Sequence, residues 1–188
     1  EALRVASESE ISLRHIPVMK NEVVALLRPR PGARLLDGTL GGGGHAFALL
    51  EASEPDGQLI GLDQDAHSLP VAVQRLSVFG DRCLTFHANF STAAALLKGI
   101  GWDGVDGLLL DLGFSSLQVE DGARGFSFLR SGPLDMRMDQ QLNYRAADLV
   151  NLESEDGLRR IFREFGEEPA AGRIARALVR SRERAPIQ

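Results

Sequence analysis

Leu35-Leu36-Asp37-Gly38-Thr39-Leu40-Gly41-Gly42-Gly43-Gly44-His45 is the stretch on which the fold turns. A short apolar run reaches a carboxylate, a glycine cluster follows, and Ala46-Phe47-Ala48-Leu49-Leu50 then opens a helical pattern. This order is the strand–loop–helix opening of a nucleotide-binding α/β domain. Glycines tolerate positive φ and lack a Cβ, so the backbone turns tightly and approaches a ligand closely. The loop presents main-chain N–H groups and a helix N-terminus to that ligand. Many folds end a strand on glycines, so the loop by itself leaves a purely structural turn open.

The flanking chain repeats the strand–helix alternation. Strands are expected at 34–37, 58–62, 82–87 and 107–110. The first and second lead into Asp37 and Asp63, and the fourth ends at Asp111. Helices are expected at 21–27, from about 45 to the Pro55-Asp56-Gly57 turn, from Ser68 and Pro70 to about 78, and at 92–100 with Ser91 as N-cap. Alternation at this spacing implies right-handed βαβ units and a parallel sheet. After Asp111 the character changes. Residues 112–130 read as loop, and Gly132-Pro133-Leu134-Asp135-Met136-Arg137-Met138-Asp139 reads as an ordered polar loop. Helices follow at 145–150, 154–165 and 170–183. The expected domains are 15–120, a sheet core, and 121–188, a loop and the start of a helical domain. With no further strand readable, the sheet would stop at an unpaired fourth strand, so its completion is expected from residues outside this sequence.

In an open α/β sheet the ligand lies beyond the carboxyl ends of the strands. Asp37, Asp63 and Asp111 would therefore face one crevice, with Asp63 placed to accept from ribose hydroxyls. A dinucleotide fingerprint needs its last glycine near position 46, which is Ala46. No lysine-bearing phosphate loop is present. Asp37 beside the glycines would repel a pyrophosphate but suit a cationic sulfonium and an ammonium, so S-adenosyl-L-methionine fits better than NAD.

The 188 residues suffice for one domain, or one and part of another. No apolar run is long enough to cross a bilayer, residues 1–14 do not read as a signal peptide, and no membrane association is expected. Cys83, the single cysteine, excludes an internal disulfide framework and a cysteine-based zinc cage; it reads as a small core residue. A reducing, cytoplasmic setting fits, and no metal site is expected. The net charge of −5 argues against holding nucleic acid by bulk charge. From Arg159 onward, however, eight arginines face four glutamates, a local +4 able to bind phosphates or to form a solvated, salt-bridged helix face.

Five stretches occur in one order: His15-Ile16-Pro17-Val18-Met19, the Asp37–His45 loop, Leu109-Leu110-Asp111-Leu112-Gly113-Phe114-Ser115-Ser116-Leu117-Gln118, Arg124-Gly125-Phe126-Ser127-Phe128 and the Gly132–Asp139 loop. Together they closely resemble the MraW/RsmH family, the 16S rRNA (cytosine-N4)-methyltransferases; Gly166-Glu167-Glu168 and Arg173-Ile174-Ala175-Arg176-Ala177 resemble its helical domain. The resemblance implies a class I, Rossmann-like methyltransferase sheet with a helical domain inserted after strand four. It also implies S-adenosylmethionine-dependent N4-methylation of a decoding-site cytidine in small-subunit rRNA.

By the family pattern Gly43, Gly44 and His45 line the cofactor site, Asp63 takes the ribose, Phe90 packs near the adenine, and Asp111 and Gln118 complete the pocket. Phe114, Leu117 and Gln64 are local departures, and the family continues past Pro186-Ile187 with more helix and the final strands. A cytosine N4 amine needs in-line placement and a polar acceptor rather than prior deprotonation. Asp111 and Ser115 are expected to orient it, with Asp135 and Arg137 as further candidates for holding the base or the RNA backbone. The expected partner is 16S rRNA in the small ribosomal subunit; the oligomeric state is left open, a homodimer among the options. The alternatives are a methyltransferase acting on DNA or protein amines, and an NAD-linked oxidoreductase.

Overall fold

The computed structural model describes residues 17–188; His15 and Ile16 of the first resemblance stretch, and the polar leader before them, lie outside these. The chain divides between Gly113 and Phe114 into two compact units.

Among the described residues the first unit carries four parallel strands, β1 (Arg34–Asp37), β2 (Gln58–Asp63), β3 (Cys83–His87) and β4 (Gly107–Leu109), in the order β3-β2-β1-β4. That order is the first half of a doubly wound sheet. Asp37 stands in register with Gly61 on one side and Leu109 on the other. Helices α1 (Lys20–Leu27), α2 (Gly44–Ala52), α3 (Leu69–Leu76) and α4 (Ala93–Gly99) alternate with the strands.

The apolar side chains explain why both faces are covered. Leu35 and Leu59 bury against Leu49, Leu50, Ala72 and Leu76 on one face. Their neighbours Leu36 and Ile60, one residue on and so pointing the opposite way, pack with Leu62, Leu97 and Trp102 on the other. Strands buried on both faces read as continuous apolar runs, and that is what 35–36 and 59–62 are. Gly61 interrupts the second run for a packing reason. A Cβ there would lie 2.6 Å from Leu40, whose side chain fills the space instead.

The helix boundaries differ from the sequence reading in instructive ways. Asn89, not Ser91, begins the 92–100 segment: its side chain accepts from the Ser91 amide at 2.9 Å and opens a short 3₁₀ turn, Phe90–Thr92, ahead of α4. Strand four stops at Leu109, so Leu110 and Asp111 already belong to the loop beyond it.

Gly43 is the pivot between the loop and α2. It has φ 76°, and a Cβ on it would meet Leu76 at 3.1 Å and the Ala72 Cα at 3.3 Å. A Gly43→Ala variant therefore combines left-handed strain with a collision against α3, and should lose roughly 1–3 kcal/mol of stability. Thermal melts of the two proteins check this.

The second unit is helical: α5 (Ser116–Glu120), α6 (Ala146–Leu152), α7 (Glu155–Glu164) and α8 (Ala171–Arg182). Residues 114–120, assigned with the sheet from sequence, pack with this unit instead. The 112–130 stretch is not all loop. Ser115 and Gln118 form a reciprocal capping box that starts α5, a 3₁₀ turn follows at Gly122–Arg124, and Phe114 stacks near Phe126 at 6.1 Å. The buried Arg124 guanidinium donates to the carbonyl oxygens of Arg137 and Met138, both at 3.0 Å, and the Met136 amide donates to Arg124 O at 2.9 Å. The Arg124–Phe128 and Gly132–Asp139 stretches thus fold onto one another as a single ordered piece.

Candidate active site

The crevice at the carboxyl ends of the strands holds the sequence-predicted residues of the first unit. Asp37 ends β1 fully buried. Its Oδ1 accepts from the Thr39 amide at 3.0 Å and from the Thr39 hydroxyl at 3.5 Å, while Oδ2 is buried with no hydrogen-bond partner. Burial raises this carboxyl to about 7; the Thr39 bonds oppose the rise, and the charges of Asp63 and Asp111 add to it. That mutual repulsion places the three carboxylates in one neighbourhood.

Asp63, at the end of β2, brackets the glycine loop. Its Oδ2 takes the Gly41 amide at 2.6 Å and its Oδ1 the Asp65 amide at 2.8 Å. An amide bond to each oxygen leaves one lone pair per oxygen for a further donor.

His45 sits in the first turn of α2, only 7 % exposed, with Nε2 at 3.7 Å from Asp111 Oδ2 and with Nδ1 buried and unpartnered. Burial lowers its pKa against the pull of Asp111, so the ring is neutral at physiological pH. At 3.7 Å the contact is longer than a hydrogen bond. The Asp111 side chain is 48 % exposed and so open to a ligand.

The loop glycines serve packing as much as access. The Cβ position of Gly43 points at α3, and that of Gly44 is bounded by Pro17 and the Arg75 guanidinium. What they offer a ligand is backbone: the Gly44, His45 and Ala46 amides open α2 without intrahelical acceptors. Phe90, 37 % exposed, flanks the loop from the other side, where its Cβ and Leu110 leave Gly38 no room for a side chain.

Ser115, Gln118, Asp135 and Arg137 all lie in the second unit. The Ser115 hydroxyl accepts from the Gln118 amide at 3.3 Å, and Gln118 Oε1 accepts from the Ser115 amide at 2.9 Å, so both first serve the α5 cap. Asp135 and Arg137 are committed to each other. Arg137 Nη2 is 2.6 Å from Asp135 Oδ2, its Nε donates to Asp135 Oδ1 at 2.9 Å, and Nη1 donates to the Gln140 and Leu142 carbonyls. Those bonds hold the Asp135 carboxyl below the usual carboxylate range. A guanidinium spent on four internal acceptors is a poor candidate for gripping RNA, and the pair reads as the brace of its loop.

The sequence pattern of the MraW methylase family matches residues 12–188. The chain belongs to the MraW methylase family. Relatives named "Ribosomal RNA small subunit methyltransferase H" include one from Citrifermentans bemidjiense, 51% identical over 93% of this chain and 56% of that protein. Another, from Geobacter sulfurreducens, is 51% identical over 95% and 57%, and one from Desulfovibrio desulfuricans is 50% identical over 98% and 57%. The chain spans about half the length of the curated relatives it matches. Among solved structures, the C-terminal domain of precorrin-6Y C5,15-methyltransferase from Rhodobacter capsulatus has a TM-score of 0.43 at 20% identity, over 52% of this chain and 50% of that one. Among the described residues no cluster of His, Cys, Asp or Glu is arranged to hold a metal ion, and no helix is long and apolar enough to cross a membrane.

One member of this MraW methylase crevice escaped the sequence reading. Thr39 Oγ1 lies between two of the carboxylate residues, accepting from the Asp111 amide at 2.7 Å and reaching Asp37 Oδ1 at 3.5 Å. It ties the loop after β4 to the loop after β1. Thr39→Val removes that acceptor, and a hydrogen bond of this kind contributes about 1 kcal/mol. Amide exchange at Asp111, followed by NMR, should accelerate about fivefold in Thr39→Val and stay near wild type in Thr39→Ser.

Proposed function

We propose that this chain is the cofactor-binding part of an S-adenosyl-L-methionine-dependent methyltransferase that modifies the N4 amine of a decoding-site cytidine in small-subunit (16S) rRNA. The observation that carries the reading is Asp37: a fully buried carboxyl, flanked by two others, with one oxygen that nothing in the fold satisfies. Buried polar atoms are nearly always paired, so an orphan acceptor at a strand end asks for a donor from outside the protein. A cation answers that electrostatic setting, and a pyrophosphate would aggravate it. Membership of the MraW family and the name its relatives carry support rRNA as the substrate.

When bound, S-adenosyl-L-methionine supplies an electrophilic methyl group on a sulfonium. The residues here supply placement. Asp37 faces positive charge, Asp63 retains lone pairs for ribose hydroxyls, and the amides that open α2 line the approach, with Phe90 offering an apolar surface beside them. Asp111 is the exposed carboxylate able to accept an N–H of the target amine and to oppose the positive charge that develops on it. The Ser115 hydroxyl keeps its proton after capping α5 and remains available as a donor. The cytosine leaves its stack to reach such a crevice.

The test incubates the protein that carries this chain with methyl-labelled cofactor and unmodified small subunits, then digests the RNA and identifies the labelled nucleoside. N4-methylcytidine is expected. Cofactor binding without labelled RNA overturns the substrate; label on DNA or protein amines moves the activity to another amine; NAD bound in preference overturns the reading as a whole.

A further inference from the structure

Folding sorts the arginines of the basic segment into used and unused. The Arg182 guanidinium donates to the Val150 and Glu153 carbonyls at 2.8 and 2.7 Å and pins α8 to the end of α6. Arg159 pairs with Asp156 at 3.1 Å, Arg176 with Glu155 at 3.4 Å, Arg163 reaches the Pro169 carbonyl at 3.5 Å, and the charge of Arg160 acts on Glu153. Arg173, Arg180 and Arg184 are exposed, and their side chains make no hydrogen bond or ion pair among the described residues.

These three share a face. At 100° per residue, positions 173, 180 and 184 fall within about 40° of one another, in a row about 16 Å long. Backbone bonds from the Glu183 amide to Val179 O and the Arg184 amide to Ser181 O continue the helical track past the end of α8. Ala171 and Ala175, both fully buried, lie on the opposite face, so the row points directly away from the unit's core. A solvated helix face usually interleaves carboxylates at i,i+4 spacing. From Ala171 to Arg184 the helical track has five arginines and one carboxylate, Glu183, in a chain whose net charge is −5.

We propose that Arg173, Arg180 and Arg184 form a docking row for the phosphates of single-stranded RNA, holding the backbone without reading its sequence. The choice of RNA over another polyanion rests on the rRNA reading above. Guanidinium forks match phosphate oxygens in pairs, and a row of them along one helix fixes the direction of a strand laid beside it.

The test is fluorescence anisotropy of a labelled short oligouridylate against salt, with the protein that carries this chain. Each phosphate contact contributes about 0.7 to the salt slope on a single strand, so R173Q/R180Q/R184Q should lower the slope by about 2. Glutamine preserves helix propensity, and circular dichroism checks the fold. R159Q/R163Q/R176Q removes the same charge from the paired arginines and should leave the slope near wild type. If both triples lower it equally, bulk charge is responsible and the row is overturned. If wild type binds and the first triple keeps its slope, the row is a solvated face and the rRNA reading stands. If wild type binds S-adenosyl-L-methionine by calorimetry but no oligouridylate, the row and its RNA partner fall together while the cofactor reading survives.

Discussion

Asp37→Asn should abolish most of the loss of stability that the sheet unit suffers as pH rises from about 4 to 8. The Asp37 carboxyl is raised from 3.8 to about 7 in the folded chain, chiefly by complete burial. A group whose folded pKa exceeds its unfolded value favours folding while it is protonated. Its contribution is therefore fully present below 3.8, declines as pH climbs, and is gone once pH passes about 7, where the native state holds a buried charge that the unfolded state keeps in water. A shift of this size corresponds to about 4 kcal/mol. For a domain of this length that is on the order of 10 °C in melting temperature. Asparagine keeps the acceptor for Thr39 and stays neutral at every pH. The wild-type and variant melting curves should coincide near pH 4 and diverge towards pH 8, the variant being the more stable; parallel curves would refute the assignment.

The same carboxyl links stability to ligand. A cation placed beside Asp37 Oδ2 compensates the buried charge, so saturating S-adenosyl-L-methionine should stabilise the wild type more at pH 8 than at pH 4. That gain should largely vanish in Asp37→Asn. A fold that leaves a strand-end carboxylate half-satisfied carries a local deficit that the right ligand repairs.

How much of this was legible beforehand depends on range. The carboxylates ending β1 and β2 were readable because apolar runs buried on both faces stop where the chain leaves the sheet, and 35–37 and 59–63 stop on aspartates. Asn89 was missed as the cap because Ser91 also suits a helix start; only the 3₁₀ turn that Asn89 opens tells them apart. The capping box at Ser115 and Gln118 was written in the sequence as Ser-x-x-Gln, but glycines and serines on both sides read as loop. Thr39 was missed for a deeper reason. Its bond to the Asp111 amide spans a sequence separation of 72 residues and exists only because β4 pairs with β1. Asp135 and Arg137, two apart in a polar loop, gave no sign that each would satisfy the other. The family resemblance named candidate residues; their partners were fixed by packing that no short motif encodes.

Asp111→Asn should reduce the rate of methyl transfer about 10²-fold while changing cofactor affinity little. Under the proposed N4-cytidine reaction, the electronics of the amine set this loss. Its lone pair is delocalised into the ring, and attack on the sulfonium methyl turns it into a positively charged nitrogen still bearing its protons. An acceptor with full negative charge gains strength as that charge develops, whereas an amide oxygen gains far less, and losing one such preorganised interaction costs about 10²–10³ in rate. His45, neutral and 3.7 Å away, is too distant and too deprotonated to neutralise Asp111 beforehand, and a half-exposed side chain leaves it reachable. The backbone of residue 111 remains fixed by Thr39 whichever side chain it carries, so the variant changes charge and not position. Single-turnover rates of methyl transfer with preloaded cofactor isolate this step from binding. A variant that keeps full turnover with unchanged cofactor affinity would show that Asp111 has no part in orienting the amine.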